Sequence, residues 1–239
     1  MPPEINGMST KPVERKLGKS SYSLLLAVFF NYFVGYEFLY IIVIYGFSHS
    51  DKLAFALSIV LAFLVNALFL VPLLVSNLKK VKLSKIFKES FKTALIMYVG
   101  LFLISFLILL FGGSLDSQNQ QIIEDYFALP EYRYAIIFLV LAFAPTVEET
   151  VFRYALCAIL PPKLRNGLWF ILLSSLAFGF VHVVWQWVDT GIFDSFNMLS
   201  YSFLGLCLAL NYRSNSFNIV YPIAAHLLYN GVQICLMMI

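Results

Sequence analysis

Residues 134–160 have the sequence YAIIFLVLAFAPTVEETVFRYALCAIL, an apolar segment that nevertheless contains Glu148, Glu149 and Arg153. At 1.5 Å per residue, a helix of this length crosses roughly 30 Å of hydrocarbon. A charge near the middle of a bilayer costs about 2.5–3.5 kcal/mol even on the most lenient scale. Charged side chains in this segment therefore predict buried partners and a functional site.

The rest of the chain is similarly apolar. Of the 239 residues, 61% are hydrophobic and 12% are charged, whereas a soluble domain has about 45–50% and about 25%. The apolar residues form blocks of membrane-spanning length. We predict spans at roughly 21–47, 53–77, 93–113, 134–160, 168–188, 195–212 and 217–238. The chain is thus expected to be an all-α polytopic membrane protein with about seven transmembrane helices, or eight if the first block breaks near Gly35.

The distribution of positive charge predicts the orientation. Most of the 16 Lys and Arg residues lie in the N-terminal tail and in the loops after predicted spans two, four and six. Because Lys and Arg are retained on the cytoplasmic side, we expect a multi-pass cell-membrane protein with a cytoplasmic N-terminus and an extracytoplasmic C-terminus. Membrane lipids are expected partners. No basic patch with interleaved aromatics indicates nucleic-acid binding.

Helical spacing predicts how the three charges of the fourth span are used. Glu149 and Arg153 are four residues apart, so they share a helix face and can pair. Glu148 lies about 100° around the helix and can point elsewhere. Pro145 has no amide hydrogen, so we expect it to kink the helix or to leave a carbonyl without its usual donor.

Other polar residues lie in later spans, at depths compatible with the fourth. His182 is in predicted span five, and His226 and Asn230 are in span seven, where their four-residue spacing puts them on one face. Near Phe178 and His182, small residues such as Gly179 allow another helix to approach closely. The spacing predicts a buried polar site between spans four, five and seven.

Three short motifs carry a resemblance to a known family. EETVFR at 148–153, FGFVH at 178–182 and HLLYN at 226–230 fit the patterns Glu-Glu-x-x-x-Arg, Phe-x-x-x-His and His-x-x-x-Asn. In this order and in separate spans, they resemble the CPBP intramembrane endopeptidase family. That family includes type II CAAX prenyl proteases and the bacterial Abi proteins linked to bacteriocin processing and self-immunity. Tyr154 departs from the pattern, because a small residue commonly follows the arginine.

The resemblance covers about residues 134–235 and implies a domain plan. We expect a cytoplasmic tail at 1–20, N-terminal transmembrane helices and loops at 21–133, and a CPBP-like catalytic core at 134–239. The implied activity is hydrolysis of peptide bonds in membrane-associated peptides or membrane-anchored protein termini. Peptide maturation, bacteriocin or signal-peptide processing and self-immunity are the processes that such an activity would serve.

The resemblance also implies roles for the site residues. Glu148 would activate water with the help of His182, and His226 and Asn230 would bind the oxyanion. Glu149 and Arg153 would be a supporting pair. No cofactor is implied by this mechanism. The alternative is Zn²⁺ held by Glu148, His182 and His226, although the chain has no His-Glu-x-x-His motif on one helix.

Two other classes of function use the same residues. A non-catalytic membrane scaffold could keep the fold and regulate a partner enzyme or sensor, although loss of Glu148 or a histidine would be typical of it. A small transporter could use the buried ionisable groups for proton coupling. Such a transporter typically shows an inverted repeat or paired broken helices, and neither is evident in the sequence.

Overall fold

The computed structural model describes residues 41–42, 51–165 and 167–239, and their regular secondary structure is entirely helical. The first predicted span, 21–47, lies outside the described residues except for Ile41 and Ile42. The helices that follow are α1 (Asp51–Leu78), α2 (Leu83–Leu110), α3 (Gln118–Ala128), α4 (Pro130–Ile159), α5 (Pro162–Arg165), α6 (Leu168–Thr190), α7 (Ser195–Ser214) and α8 (Val220–Met237).

Within the described ranges, four helices are long and apolar enough to cross a membrane, namely α2, α4, α6 and α8. Helix α1 is bent by 59° between Leu53–Leu68 and Leu70–Leu78, and it adds a fifth span if both parts count as one. Pro72 explains the bend, because it cannot donate to the carbonyl one turn earlier and its ring crowds that turn. The all-helical membrane class is confirmed, but seven or eight spans are not.

Three other sequence predictions need correction. Helix α2 begins at Leu83 rather than at residue 93, because its first turns bury Ile86 and Ser90 while its lysines stay exposed. Helix α3 was expected to be a loop, but Ser117 caps its first turn by accepting a hydrogen bond from the Gln120 amide at 3.4 Å. The predicted sixth span is the helix α7, but it is not apolar enough to be counted among the four.

The middle of α4 is surrounded by the largest buried apolar cluster. Val147 is fully buried there, and residues of α1, α2, α6, α7 and α8 pack around it. Other members of the cluster are Ala62, Leu70, Met97, Phe143, Val151, Phe152, Phe178, Leu204, Cys207, Leu208 and Ala225. In contrast, apolar side chains along α2 such as Phe102 and Phe106 are exposed, as expected of a surface that faces lipid.

Among the described residues, most basic and most acidic side chains lie at opposite ends of the helices. At one end, Lys85 lies 5.6 Å from the ring centre of Tyr221, which places the start of α2 beside the start of α8. At the other end, Asn197 donates a 2.6 Å hydrogen bond to the Asp116 carbonyl, which places the start of α7 beside the segment after α2. The lysines that precede and begin α2 therefore lie far from the acidic residues around α3.

Helices α6 and α7 pack closely along small side chains. A Cβ atom added at Gly179 would meet the Ser202 hydroxyl and would lie 2.9 Å from the Met198 carbonyl oxygen. At Gly205, an added Cβ would lie 3.0 Å from the Cα of Ser175. The close approach places α7 directly against the face of α6 that carries Phe178 and His182.

The close packing predicts that Gly179→Ala destabilises the protein. Because the backbone of α7 must shift, we expect a loss of about 1–3 kcal/mol in the free energy of unfolding, measured in detergent. Gly231→Ala is the matched control, because its added Cβ would lie 4.0 Å from the nearest atom, Cδ2 of Leu141. Equal stability of the two variants would contradict the proposed close contact.

Candidate active site

Helix α4 is irregular on both sides of its charged motif. Two π-helical turns, Leu139–Phe143 and Thr150–Ala155, flank the α-helical residues Ala144–Glu149. Such turns occur frequently at functional sites.

Several carbonyls of α4 accept hydrogen bonds from side chains. The Thr146 hydroxyl donates to the Ala142 carbonyl at 2.7 Å, and Ser174 of α6 donates to the Phe152 carbonyl at 2.9 Å. Polar side chains thus satisfy backbone groups that lipid could not.

Glu149 and Arg153 form a fully buried ion pair, as their spacing predicted. Nη1 of Arg153 lies 3.1 Å from Oε1 of Glu149, and both side chains are 0% exposed. Nη2 of Arg153 donates to the Gly205 carbonyl of α7 at 3.0 Å. The guanidinium also lies 4.6 Å from the ring centre of Phe178 on α6. This single side chain therefore connects three helices.

The imidazole of His226 connects α8 to the same carboxylate. Its Nδ1 lies 2.9 Å from Oε1 of Glu149, so this nitrogen donates to an oxygen that also accepts from Arg153. Its Nε2 lies 4.0 Å from Oε2 of Glu148, which is too long for a direct hydrogen bond. Arg153, Glu149 and His226 form a hydrogen-bonded chain. This chain orients the imidazole so that its Nε2 is directed towards Glu148.

His182 is oriented by its own helix and by α7. Its Nδ1 lies 2.7 Å from the Phe178 carbonyl oxygen, and because that oxygen can only accept, Nδ1 must carry the hydrogen. In the neutral ring, Nε2 then carries the lone pair. The imidazole stacks on Tyr201, with ring centres 4.3 Å apart and planes at 19°.

Phe178 lies at the centre of these groups. Its ring centre is 4.6 Å from that of His182 and 5.9 Å from that of His226. Because Arg153 contacts the same ring, one aromatic side chain packs against both histidines and against the buried cation.

Asn230 fills a gap in the hydrogen bonding of α4. The Ala144 amide donates to the Leu139 carbonyl, five residues earlier. The next amide in this pattern would donate to Val140, but that residue is Pro145, which has no hydrogen to donate. Nδ2 of Asn230 lies 2.9 Å from the Val140 carbonyl oxygen and takes that place. The predicted release of a carbonyl by Pro145 is therefore observed, and Asn230 is its donor.

The four residues Glu148, His182, His226 and Asn230 line one cavity of about 1220 Å³. It extends from the centre of the bundle to α3, where Asn119, Ile123 and Glu124 contribute to its wall. Much of the remaining lining is apolar, and includes Phe55, Leu101, Phe102, Leu139, Phe143, Trp185 and Leu236.

The comparison with protein families identifies the segment that contains these residues. Residues 130–232 match the family described as type II CAAX prenyl endopeptidase Rce1-like. This segment is similar to the Rce1-like family. The match begins where α4 begins and includes all three motifs, so it confirms the resemblance to the CPBP family. No curated protein and no solved structure matches the chain.

Sequence spacing located the polar residues of the Rce1-like segment but not all of their contacts. The structure places His226 against Glu149, whereas the spacing suggested that Arg153 alone would occupy this carboxylate. Tyr201 and the Gly205 carbonyl were missed. Both lie in α7, which has no Asp, Glu, Lys, Arg or His near mid-span, so no charge or motif pointed to them.

The zinc alternative requires Glu148, His182 and His226 to converge on one metal ion. Among residues 51–165 and 167–239, no group of three or more His, Cys, Asp or Glu side chains is disposed to hold a metal ion. Nδ1 of His226 contacts Glu149 and Nδ1 of His182 contacts a carbonyl, so Nε2 is the nitrogen of each ring that a metal would use. The mechanism that we propose uses no metal, and metal independence is part of that proposal.

The buried pair predicts that Arg153→Ala harms folding more than chemistry. Because the change leaves Glu149 without its cation and removes the bond to Gly205, we expect a loss of about 3–5 kcal/mol in the free energy of unfolding. Membrane accumulation and the unfolding midpoint in detergent would measure it. Arg213→Ala, at the end of α7, is the control. Normal accumulation and stability of Arg153→Ala would refute the role of the pair.

The bond to Val140 predicts coupling between Asn230 and Pro145. Asn230→Ala leaves a buried carbonyl without a donor, at an expected cost of about 1–3 kcal/mol. Pro145→Ala restores a backbone amide, so the same change should cost less in that background. A double-mutant cycle of unfolding free energies measures the difference. Strict additivity would show that Asn230 does not replace the missing amide.

Proposed function

We propose that this protein is an intramembrane endopeptidase in which Glu148 activates a water molecule. The observation that carries the proposal is that Glu148, His182 and His226 line one cavity among apolar helices. The match to the Rce1-like family supports protease activity, and the residue roles are those that the resemblance implies.

Glu148 would be the general base of the reaction. Glu148 is 6% exposed and lines the cavity, and its Oε2 lies 4.0 Å from Nε2 of His226, a separation that suits bridging by water better than direct contact. The carboxylate would remove a proton from water while the hydroxide attacks the substrate carbonyl carbon. Glu148 would then pass that proton to the departing amine. Nε2 of His182 would hold the water by accepting its second hydrogen.

His226 and Asn230 would stabilise the oxyanion of the tetrahedral intermediate. Since Nδ1 of His226 already donates to Glu149, Nε2 can donate only when the ring carries both hydrogens. Asn230 uses one hydrogen of Nδ2 for the Val140 carbonyl, and the second is left for the oxyanion. Donors that are fixed before the reaction stabilise such charge strongly when water is excluded.

The charges of the site would balance throughout this reaction. Before the attack, Arg153 and a doubly protonated His226 would be positive and Glu148 and Glu149 negative. After it, Glu148 would be neutral and the oxyanion would carry the negative charge, so the sum would stay at zero. A buried charge without a partner is costly, and a neutral set of four avoids that cost. The pairing of Arg153 with Glu149 leaves Glu148 as the carboxylate that compensates His226.

The cavity favours an apolar peptide as the substrate. Its aromatic and aliphatic walls suit the side chains of a peptide segment or of a membrane-anchored protein terminus, and its length from Glu148 to α3 leaves room for several residues. Peptide maturation, bacteriocin or signal-peptide processing and self-immunity are the processes we propose. Membrane lipids and the peptide substrate would be the partners, and no nucleic acid is expected.

The charge distribution supports one orientation in the cell membrane. The end of the bundle that carries Lys79 to Lys92 would face the cytoplasm together with the N-terminus, and the acidic end around α3 would face away from it. The C-terminus, after α8, would then be extracytoplasmic. The cavity would be reached from the α3 end.

A cleavage assay on the full chain in liposomes tests the proposal with a library of apolar peptides. We expect cleavage by the wild type and at least a 10³-fold loss in Glu148→Gln, because the isosteric amide cannot accept the proton of water. Glu89→Gln is the matched control, a carboxylate on α2 outside the cavity lining. Both variants should insert and unfold like the wild type.

A chelator arm tests the metal-free mechanism in the same assay. Cleavage that survives the chelator supports the proposal. Cleavage lost to the chelator and restored by Zn²⁺ would replace it with a metal mechanism. Full activity of Glu148→Gln would remove Glu148 as the base. Absence of cleavage across the library would favour the scaffold, and partner capture from the native membrane would follow.

A further inference from the structure

His182 packs against two aromatic rings. The ring centre of Phe178, on the same helix, lies 4.6 Å from that of the imidazole with the planes at 40°, and the Tyr201 ring of α7 lies 4.3 Å away in a nearly parallel stack. The Nδ1 bond to the Phe178 carbonyl fixes one edge of the ring but leaves it able to swing about that bond. The Tyr201 ring opposes this swing, because tilting the imidazole would break the stack.

Tyr201 is itself fixed by the polar segment at the entrance of the cavity. Its hydroxyl lies 3.0 Å from the Ser117 hydroxyl and 3.3 Å from Nδ2 of Asn119, which donates to it. Ser117 caps α3, so Tyr201 connects the start of α3 to His182. A tyrosine that served only to fill space among apolar helices would not need two hydrogen bonds to a neighbouring segment.

We propose that Tyr201 is a positioning residue that sets the direction of Nε2 of His182, and that its ring is aligned by Ser117 and Asn119. This inference rests on the proposed function, in which His182 holds the attacking water. A displacement of a reacting group by about 1 Å can cost about 10²-fold in rate. Loss of the stack should therefore lower kcat, with KM almost unchanged because substrate binding is not the step affected.

Two contributions of Tyr201 can be separated by substitution. Tyr201→Phe keeps the stacked ring and loses the hydroxyl, whereas Tyr201→Leu loses both. Asn119→Ala removes one bond to the hydroxyl and should have no further effect when combined with Tyr201→Phe. Tyr201→Met is a second non-aromatic variant, in case Tyr201→Leu does not fold.

The control is Tyr212→Leu, a change of the same type on the same helix. Tyr212 packs on Phe170 and Phe217 rather than on His182. It should lower stability without changing kcat of the folded protein.

The first readout is the kinetics of peptide cleavage by the purified full chain. We expect kcat to fall about 10–100-fold in Tyr201→Leu and Tyr201→Met, and no more than about fivefold in Tyr201→Phe, with KM within threefold of the wild type. Equal losses in Tyr201→Phe and Tyr201→Leu would overturn the stacking role. A rise in KM with unchanged kcat would show that Tyr201 contacts substrate and would also overturn the proposal.

The second readout does not depend on catalysis. In histidine-labelled protein, the NMR signal of the His182 Cε1 hydrogen is assigned by its absence in His182→Ala. Stacking on Tyr201 should displace this signal upfield. Tyr201→Phe should keep the displacement, and Tyr201→Leu should lose it. An unchanged signal in Tyr201→Leu would overturn the proposal.

If no peptide is cleaved, the proposed function fails, but the NMR result still decides whether Tyr201 orients His182.

Discussion

The buried ion pair between Arg153 and Glu149 is the interaction on which the site depends. Both side chains are fully removed from solvent, and an unpaired charge in such surroundings would cost several kcal/mol. The pair therefore contacts groups from three neighbouring helices, namely the Gly205 carbonyl, the Phe178 ring and the His226 imidazole. These partners hold Glu149 and Arg153 in one position on α4. The interactions that compensate the buried charges therefore also fix the position of the neighbouring Glu148.

The irregular helix α4 links this electrostatic requirement to the backbone. Its π-helical turns and Pro145 leave carbonyls that a regular helix would satisfy by itself. In apolar surroundings these carbonyls must find donors, and Ser174 and Asn230 supply two of them from α6 and α8. The same contacts that satisfy the backbone hold the helices around the cavity, so the stability of the bundle and the arrangement of the site are not independent.

Hydropathy alone predicted the apolar middle of α2, α4, α6 and α8 well and the helix ends poorly. Helix α2 extends ten residues before the predicted start, because an amphipathic turn with exposed lysines continues the helix beyond its apolar part. Helix α3 was missed because it is polar, although its Ser117 cap is visible in the sequence. The prediction treated α7 as an ordinary span, yet its contribution is to bring Gly205 and Tyr201 to the site.

The sequence by itself determined the contacts that depend on helical spacing. Glu149 and Arg153 meet, and His182 bonds the Phe178 carbonyl, because residues four apart share a face of one helix. Only the tertiary structure decided that His226 bonds Glu149, that Asn230 bonds Val140 and that Tyr201 stacks on His182. Those contacts depend on the rotation and depth of separate helices. Close packing at small residues and the irregular turns of α4 set both, and the local periodicity of the sequence contains no information about them.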